Sequence, residues 1–276
     1  MKQNKGGVTM RLTAREKEWN RMIRAEEAFL KKGAGKQDTV LNQLLADKVP
    51  AKLQGTLDAA FAKAFETIFD KGTGIIEKTY NKEQLEHQYQ VNAYAADLKE
   101  NKQNLRRFGK KAGSANTKNL LLTSLEGIGM GAFGVGLPDI PVFVGVVLKS
   151  VYEVALNYGY RYDTPEEKYF ILKIIETSLS HGSALMEGNA HLNQYIEDPA
   201  LPVDYDFAAQ IATTSATMSK ELLYLKFLQG IPIVGAVGGA YNTVYLQQIL
   251  KYTKLKYQRR FLYDKEVGSW TPDDAC

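Results

Sequence analysis

The glycines near the middle of the chain come closest to a motif with known chemistry. Gly129, Gly131 and Gly134 stand in the Gly-x-Gly-x-x-Gly order that holds a dinucleotide pyrophosphate, and Glu153 follows about 20 residues later. That chemistry needs a strand before the glycines and an unbroken helix after them, because the helix N-terminus binds the phosphates. Two prolines interrupt the residues that follow, and no strand pattern surrounds the glycines. The sequence therefore does not favour nucleotide binding.

A second glycine-rich stretch, Gly33-Ala34-Gly35-Lys36, resembles the end of a phosphate-binding loop. Such a loop places Ser or Thr after its lysine to reach the magnesium ion, whereas Gln37 stands here. The earlier glycine that the loop requires is also missing. The stretch is better explained as the end of a helix, because glycine commonly stops one.

The three histidines provide no i, i+4 pair of the kind that binds a metal on a helix. Residues 182–204 are predicted to form an irregular connection with two prolines, and His181 and His191 are predicted to share this polar loop, His181 directly before it. With Glu187 and Glu197 they could form a weak site, although a solvated loop is the simpler explanation. The only cysteine, Cys276, is a poor nucleophile candidate, and no Gly-x-Ser-x-Gly turn is present. We predict no catalytic residue, no metal ligand and no cofactor.

The elements that would position any site are two long apolar segments that carry almost no charge. Gly127 to Leu148 contains Asp139 as its only ionisable group, and Phe227 to Leu250 contains none. Each holds an Ile-Pro pair, Ile140-Pro141 and Ile231-Pro232. A span of roughly 20 apolar residues matches the thickness of a bilayer core, yet it could equally form the centre of a soluble helical protein. The pattern predicts two apolar helical hairpins, each broken by glycine and proline.

In the first hairpin the turn is predicted at residues 136–139, with Pro138 at its centre. Asp139 is then placed to cap the next helix, with Pro141 in the first turn of that helix. The competing interpretation is functional, because a carboxylate inside an apolar segment is costly in lipid and often has a role there. We favour the helix cap.

The second hairpin turns near Pro232, and Gly235 with Gly239 puts small residues one helical turn apart. Such residues let helices pack closely, either in a soluble core or in lipid. Asn242 is the polar counterpart of the aspartate in the first segment. It is predicted to satisfy a nearby backbone group rather than to bind a ligand.

The fold class follows from continuous helical periodicity with start signals at the right positions. Thr13 with Glu16 forms a capping box, and Thr164-Pro165 with Glu167 gives a second strong helix start. Residues 81–108 are predicted to form one long, largely exposed helix. No long stretch alternates with period two, so the prediction is an all-α, multi-helix bundle.

The predicted domain organisation is a single helical domain between two short tails. Residues 1–12 form a flexible N-terminal tail, residues 13–268 form the domain, and residues 269–276 form a second tail. Within the domain, a charged helical region at 13–108 precedes an apolar core region at 117–268, with a glycine-containing linker between them. The N-terminus has no apolar core region typical of a secretory signal, so we expect a cytoplasmic protein.

A basic and aromatic run near the C-terminus is the predicted binding surface. It contains Lys251, Lys254, Lys256, Arg259 and Arg260, interleaved with tyrosines. Such a helix could lie on an anionic membrane, although a solvated helix face is the simpler explanation. The net charge of +4 is small and no nucleic-acid motif is present, so we do not expect nucleic acid as a partner.

Short motifs in a fixed order make the chain similar to the EcsC family of bacterial proteins. They are Gly136-Leu137-Pro138-Asp139-Ile140-Pro141, Ile231 to Ala236 followed by Tyr241-Asn242, and Arg260-Phe261-Leu262. The likeness covers roughly residues 12–268. It implies an accessory protein near the envelope, often encoded beside an EcsA/EcsB-type ABC transporter, and it supplies no catalytic residues.

These observations predict a non-enzymatic, cytoplasmic protein that associates peripherally or reversibly with the inner membrane. Anionic lipid is the expected partner, and ABC transporter subunits are possible further partners. Two alternatives stay open. One is a lipid-directed enzyme with a polar site near Asp139 and Asn242, or near His181, and the other is a soluble module that docks on a transporter subunit.

Overall fold

The structure, a computed structural model, describes residues 12–35, 51–78, 80–110, 139–228 and 240–267. Within these ranges the regular structure is helical throughout and contains no strand. The prediction of an all-α, multi-helix fold is therefore confirmed.

The first half of the chain contributes one long helix and a group of shorter ones. Their bounds are α1 Ala14–Ala34, α2 Ala51–Thr67, a π-helical turn Ile68–Gly72, α3 Thr73–Glu77, α4 Lys82–Leu98, α5 Lys102–Leu105 and α6 Arg107–Lys110. The second half contributes five long helices. These are α7 Asp139–Asn157, α8 Pro165–Leu179, α9 Gly182–Glu197, α10 Phe207–Leu228 and α11 Ala240–Val267.

Two of the predicted helix starts have the expected capping geometry. The Glu16 N–H donates to Thr13 Oγ1 at 3.1 Å, and the Thr13 N–H donates to Glu16 Oε2 at 2.6 Å. At the start of α8 the Glu167 N–H donates to Thr164 Oγ1 at 3.2 Å, with Pro165 in the first turn. Each side chain satisfies a backbone donor that the helix itself leaves without a partner.

Helices α7, α8 and α11 form the centre of the bundle. Helix α8 packs against α9, α10 and α11, while α2 lies between α7 and α10. Helix α11 contacts α1, α7, α8 and α9, so it is surrounded on several sides. One continuous apolar core joins helices from both the charged and the apolar regions of the sequence.

Residues 81–108 do not form the single long helix that was predicted. Helix α4 ends at Leu98, and Asn101 caps a new short helix by accepting the Asn104 N–H at 2.9 Å. The Asn104 side-chain amide donates to the carbonyl oxygens of Ala95 and Lys99. Lys99 follows the last residue of α4, and its carbonyl oxygen has no partner inside that helix. Asparagine thus supports both the end of one helix and the start of the next.

The prediction of an irregular connection at residues 182–204 is also wrong, because α9 occupies most of this range. Leu185, Gly188, Leu192 and Ile196 are buried at helical spacing, and α9 packs on α1, α8 and α11. The apolar stripe is narrow and is surrounded by polar residues, so the helical repeat of apolar residues was not recognised in the sequence.

The predicted hairpin turns fall largely outside the described residues. Pro138, Pro232 and Gly235 lie there, as do the side chains of Asp139 and Asn242. Helix α7 begins at Asp139 and has Pro141 in its first turn, as predicted.

One helix in the described part of the chain, Ile140–Asn157, is long and apolar enough to cross a membrane. Of this stretch, 89% is buried inside the fold, and the core helix of a soluble protein meets the same criteria. Length and composition alone therefore do not identify this helix as a membrane span.

Candidate functional site

Lys256 of α11, predicted to lie on a membrane surface, is fully buried. Its Nζ donates to Glu26 Oε1 and to the Oδ1 atoms of Asn189 and Asn193, both at 2.6 Å. These partners come from α1 and α9, which pack on two sides of α11. Lys256 is therefore part of a buried polar network, which corrects the predicted surface position of this residue.

This network holds one carboxylate, Glu26, between two cations, Lys256 and Arg259. Burial lowers the pKa of the Lys256 ammonium, and the neighbouring Glu26 offsets this only in part, so the pKa falls to about 8. Burial raises the pKa of the Glu26 carboxyl, but the charges of Lys256 and Arg259 outweigh it and the net pKa is lowered. Arg259 Nη1 completes the group at 2.7 Å from Glu26 Oε2.

A second buried network lies further along α11. Arg260 Nη1 donates to Glu167 Oε2 at 2.7 Å, and the Tyr257 hydroxyl donates to Glu167 Oε1 at 2.5 Å. The Arg260 guanidinium also lies 4.1 Å from the centroid of the Tyr160 ring. Burial lowers the pKa of Arg260, but the charge of Glu167 outweighs it and the net pKa is raised. Arg260 thus joins α11 to α8, and its charge is directed into the protein.

Of the five predicted binding residues, Lys251 alone is well exposed. Lys254 is partly buried, whereas Lys256, Arg259 and Arg260 are held by carboxylates of α1 and α8. The charges that the sequence places on one helix therefore divide into two groups. One group neutralises carboxylates inside the bundle, and the other, represented by Lys251, is available to a partner.

Lys251 lies on the rim of a pocket formed where α1 ends, α9 begins and the first half of α11 passes. The pocket has a volume of about 240 Å³. Its polar lining includes Lys32, Ser180, His181 and Lys251, and its apolar wall includes Phe29 and Leu185. Lys32 and Lys251 are exposed, and Val244, which also lines the pocket, has 56% of its surface exposed.

Two glycines lie at or next to this pocket, Gly33 in its lining and Gly182 directly after His181. Gly182 begins α9 with φ +55°, a conformation that strains any residue with a side chain. At Gly33, near the end of α1, an added Cβ would lie 2.2 Å from Leu185 Cδ2. In the stretch that was rejected as a nucleotide loop, residues 33–35 therefore end α1, and Gly33 lets the helix approach α9 closely.

His181 is the most unusual side chain in the pocket, because only 3% of it is exposed. Its Nε2 lies 3.1 Å from Glu221 Oε1, yet the pair lacks hydrogen-bond geometry. Neither ring nitrogen forms a hydrogen bond with a residue in the described ranges. A buried polar side chain is normally hydrogen-bonded, so this histidine is suited to receive a polar group from a ligand.

The two histidines predicted to share a loop have different surroundings. His181 stands at the start of α9, whereas His191 is exposed on the same helix, about 15 Å further along its axis. The Nε2 of His191 pairs with the Tyr169 hydroxyl. Burial lowers the pKa of His191 below its ordinary value, and nearby Lys173 lowers it further. The structure does not bring the two histidines into one site.

Another buried polar cluster lies between α7 and the end of α3. Lys149 Nζ is 3.6 Å from Glu153 Oε1, and burial lowers the pKa of the lysine and raises that of the glutamate. Beside them, the Tyr80 hydroxyl donates to Tyr162 at 2.7 Å, which in turn donates to Glu77 Oε1 at 2.5 Å. The cluster joins α3 and α7 to the loop before α8 and serves packing.

The fold and these contacts define an all-α protein with an ion-paired interior and a cationic pocket beside α1, α9 and α11. Residues 14–262 match the family model of the EcsC protein family. Because the match covers most of the chain, this protein belongs to the EcsC family. No curated protein and no solved structure matches it.

Proposed function

We propose that this protein is a non-enzymatic accessory protein that associates reversibly with the cytoplasmic surface of the membrane. The observation that supports the proposal is the rim of the pocket, which combines exposed cations with an exposed apolar side chain. Lys251 and Val244 stand seven residues apart on α11, two helical turns, and Lys32 faces the same pocket from the end of α1. Peripheral membrane proteins use this combination, because cations attract anionic lipid while apolar side chains enter the headgroup layer.

Further residues extend the same surface. Lys31 precedes Lys32 in the last turn of α1 and is exposed, and Met186, which follows Leu185 on α9, has 47% of its surface exposed. Burial of the apolar helix Ile140–Asn157 inside the fold favours peripheral association over a spanning arrangement. The likeness to the EcsC family suggests an ABC transporter subunit as the protein partner at the membrane.

Sedimentation with lipid vesicles tests the membrane association. The parent protein should bind vesicles that contain phosphatidylglycerol more strongly than vesicles of phosphatidylcholine alone, and salt should weaken the binding. The double variant Lys32→Gln/Lys251→Gln should bind roughly thirtyfold more weakly, since each cation contributes about 1 kcal/mol.

The matched control is Lys99→Gln/Lys102→Gln, which removes two exposed lysines near the junction of α4 and α5. It changes the net charge equally and should keep the vesicle affinity of the parent. Equal loss in both double variants would show that overall charge, and not this surface, drives the association. Absence of vesicle binding by the parent would refute the proposal.

A further inference from the structure

The pocket that carries Lys251 combines three kinds of group that bind phosphate. It lies beside the N-terminus of α9, which has no side-chain cap, and it contains a buried histidine without a hydrogen-bond partner in the described residues and exposed lysines on its rim. The cations of the rim account for attraction to a charged surface. They do not account for a buried imidazole at the bottom of the pocket.

Helix α9 begins at this pocket without a side-chain cap. His181 occupies the N-cap position, and its side chain makes no capping hydrogen bond. The first backbone N–H groups of a helix have no partner inside the helix, and together with the helix dipole they favour an anion. Helix α9, Gly182–Glu197, has 16 residues and is long enough for its dipole to favour an anion at its N-terminus. Gly182, with φ +55°, lets the chain turn from α8 directly into this helix start.

The position of His181 gives the site a second, independent feature. The side chain lines the pocket while 97% of its surface is removed from solvent. Leaving a buried polar atom without a partner costs about 1–3 kcal/mol, so such an atom calls for an explanation. A ligand oxygen that accepts from the imidazole would remove this cost.

The charges around the pocket favour an anion. Lys32 and Lys251 face it, and the buried carboxylate that approaches His181 is Glu221, which also accepts from the Tyr245 hydroxyl. Glu176, on the adjacent last turn of α8, is paired with Lys173 at 2.8 Å. Two lysines at the pocket therefore outnumber the one buried carboxylate that approaches His181.

We propose that this pocket binds a phosphate group at the N-terminus of α9, with His181, Lys32 and Lys251 as its side-chain ligands. The phosphate can belong to a membrane lipid headgroup or to a small soluble phosphate ester. The volume of about 240 Å³ equals the space of roughly eight water molecules. That space suits a phosphate with a glycerol-sized group and is below the range of pockets that enclose drug-sized ligands.

If the phosphate belongs to a lipid headgroup, the proposed site rests on the proposed membrane association, and the pocket is the place where the headgroup binds. The apolar wall of the pocket includes the buried Phe29 and Leu185 and the exposed Val244. These side chains could contact the glycerol carbons of a phospholipid whose phosphate lies beside His181.

Ser183→Glu is the decisive variant, with Ser183→Gln as its matched control. Ser183 is exposed in the first turn of α9, so neither change disturbs the core. A carboxylate at this position stabilises the helix start but repels a phosphate there. The glutamate variant should therefore be at least as stable as the parent, while its phosphate affinity falls roughly tenfold or more relative to Ser183→Gln.

Binding is measured with inorganic phosphate and glycerol 3-phosphate by amide chemical-shift titration, and with phosphatidylglycerol vesicles by sedimentation. We expect the soluble phosphates to shift the amides of residues 181–185 and to compete with the vesicles, with both effects lost in Ser183→Glu. His181→Gln should also weaken the amide shifts and the competition with vesicles. Lys32→Gln/Lys251→Gln should weaken the same two effects without a change in the core.

The outcomes separate the two proposals. Vesicle binding that is equal in Ser183→Glu and Ser183→Gln, without amide shifts at 181–185, overturns the phosphate site and leaves membrane association through the exposed lysines and apolar side chains. Phosphate-dependent shifts in a protein that binds no vesicles support the site with a soluble ester as its ligand and refute membrane association. Absence of both amide shifts and vesicle binding overturns both.

Discussion

Replacing Lys256 by methionine distinguishes a buried structural lysine from a membrane-binding one. Methionine matches the length of the side chain but cannot donate to Glu26, Asn189 or Asn193. The variant therefore leaves the Glu26 carboxylate buried, with Arg259 as the cation that still contacts it at 2.7 Å. If Lys256 lay on a membrane surface, the same change would weaken lipid binding and leave stability almost unaltered.

The expected loss is large because the remaining charge stays in the interior. Breaking a buried ion pair by removing one partner costs about 3–5 kcal/mol. Arg259 still compensates Glu26 in Lys256→Met, so the lower end, about 3 kcal/mol, is expected. Glu26→Gln leaves the buried Lys256 and the partly buried Arg259 near each other without a carboxylate, and should reach the upper end, about 5 kcal/mol. The double variant removes both charges, so its loss should be smaller than the sum of the single losses by about 2 kcal/mol or more.

Urea unfolding followed by circular dichroism measures these differences. The partly buried Lys254 on the same helix, which makes no ion pair with a residue in the described ranges, supplies the control Lys254→Met. The control should stay within about 0.5 kcal/mol of the parent, as substitutions away from buried networks usually do. In thermal unfolding, Lys256→Met should melt roughly 6–12 °C lower, given about 2–4 °C per kcal/mol for chains of comparable size. A Lys256→Met protein within 1 kcal/mol of the parent, or additive losses in the double variant, would refute the buried network.

Three further predictions follow from named contacts. Burial raises the pKa of Glu18, but its pairing with Arg106 and Arg21 makes the net pKa lower than usual. Arg106→Gln should therefore cost about 1–3 kcal/mol at pH 7, and the loss should shrink below pH 4.5 as Glu18 takes up a proton in both proteins. Gly182→Ala should destabilise by about 1 kcal/mol because of its positive φ, whereas Gly55→Ala, in an exposed turn of α2 with free space, should stabilise by about 0.5–1 kcal/mol. Thr164→Ala should lose about 0.5–2 kcal/mol through its lost cap, and Thr164→Ser should retain most of it, both by urea unfolding.

The sequence predicted the helical class and several helix starts because these depend on neighbouring residues. Thr13 with Glu16, and Thr164 with Pro165, act within one helical turn, so their effect can be recognised without the tertiary structure. Helix α9 was missed because its buried stripe of Leu185, Leu192 and Ile196 is narrow. It becomes stable through contacts with α1, α8 and α11, which the local sequence does not reveal.

The candidate site could be predicted only in part, since its groups come from distant parts of the chain. The basic residues of α11 were recognised, but the carboxylates that neutralise Lys256 and Arg260 stand on α1 and α8. His181 was noticed as one of three histidines. Its burial depends on packing around the start of α9, and its approach to Glu221 depends on the position of α10. A useful signal in the sequence was the Ser180-His181-Gly182 turn, since glycine there indicates a special backbone conformation.

The division of charge on α11 also sets the strength of the proposed membrane association. Because Lys256, Arg259 and Arg260 are paired with carboxylates of the bundle, the exposed lysines of the proposed surface are Lys31, Lys32 and Lys251. At about 1 kcal/mol each, three lysines supply about 3 kcal/mol, less than the roughly 4 kcal/mol that corresponds to millimolar affinity. Charge alone is therefore too weak, and burial of an apolar side chain such as Val244 must add about 1.5–3 kcal/mol. Because neither contribution suffices by itself, Val244→Ser at low salt and the parent protein at high salt should both leave the vesicles. If Val244→Ser stayed bound at low salt, the apolar contribution would have to come from other residues.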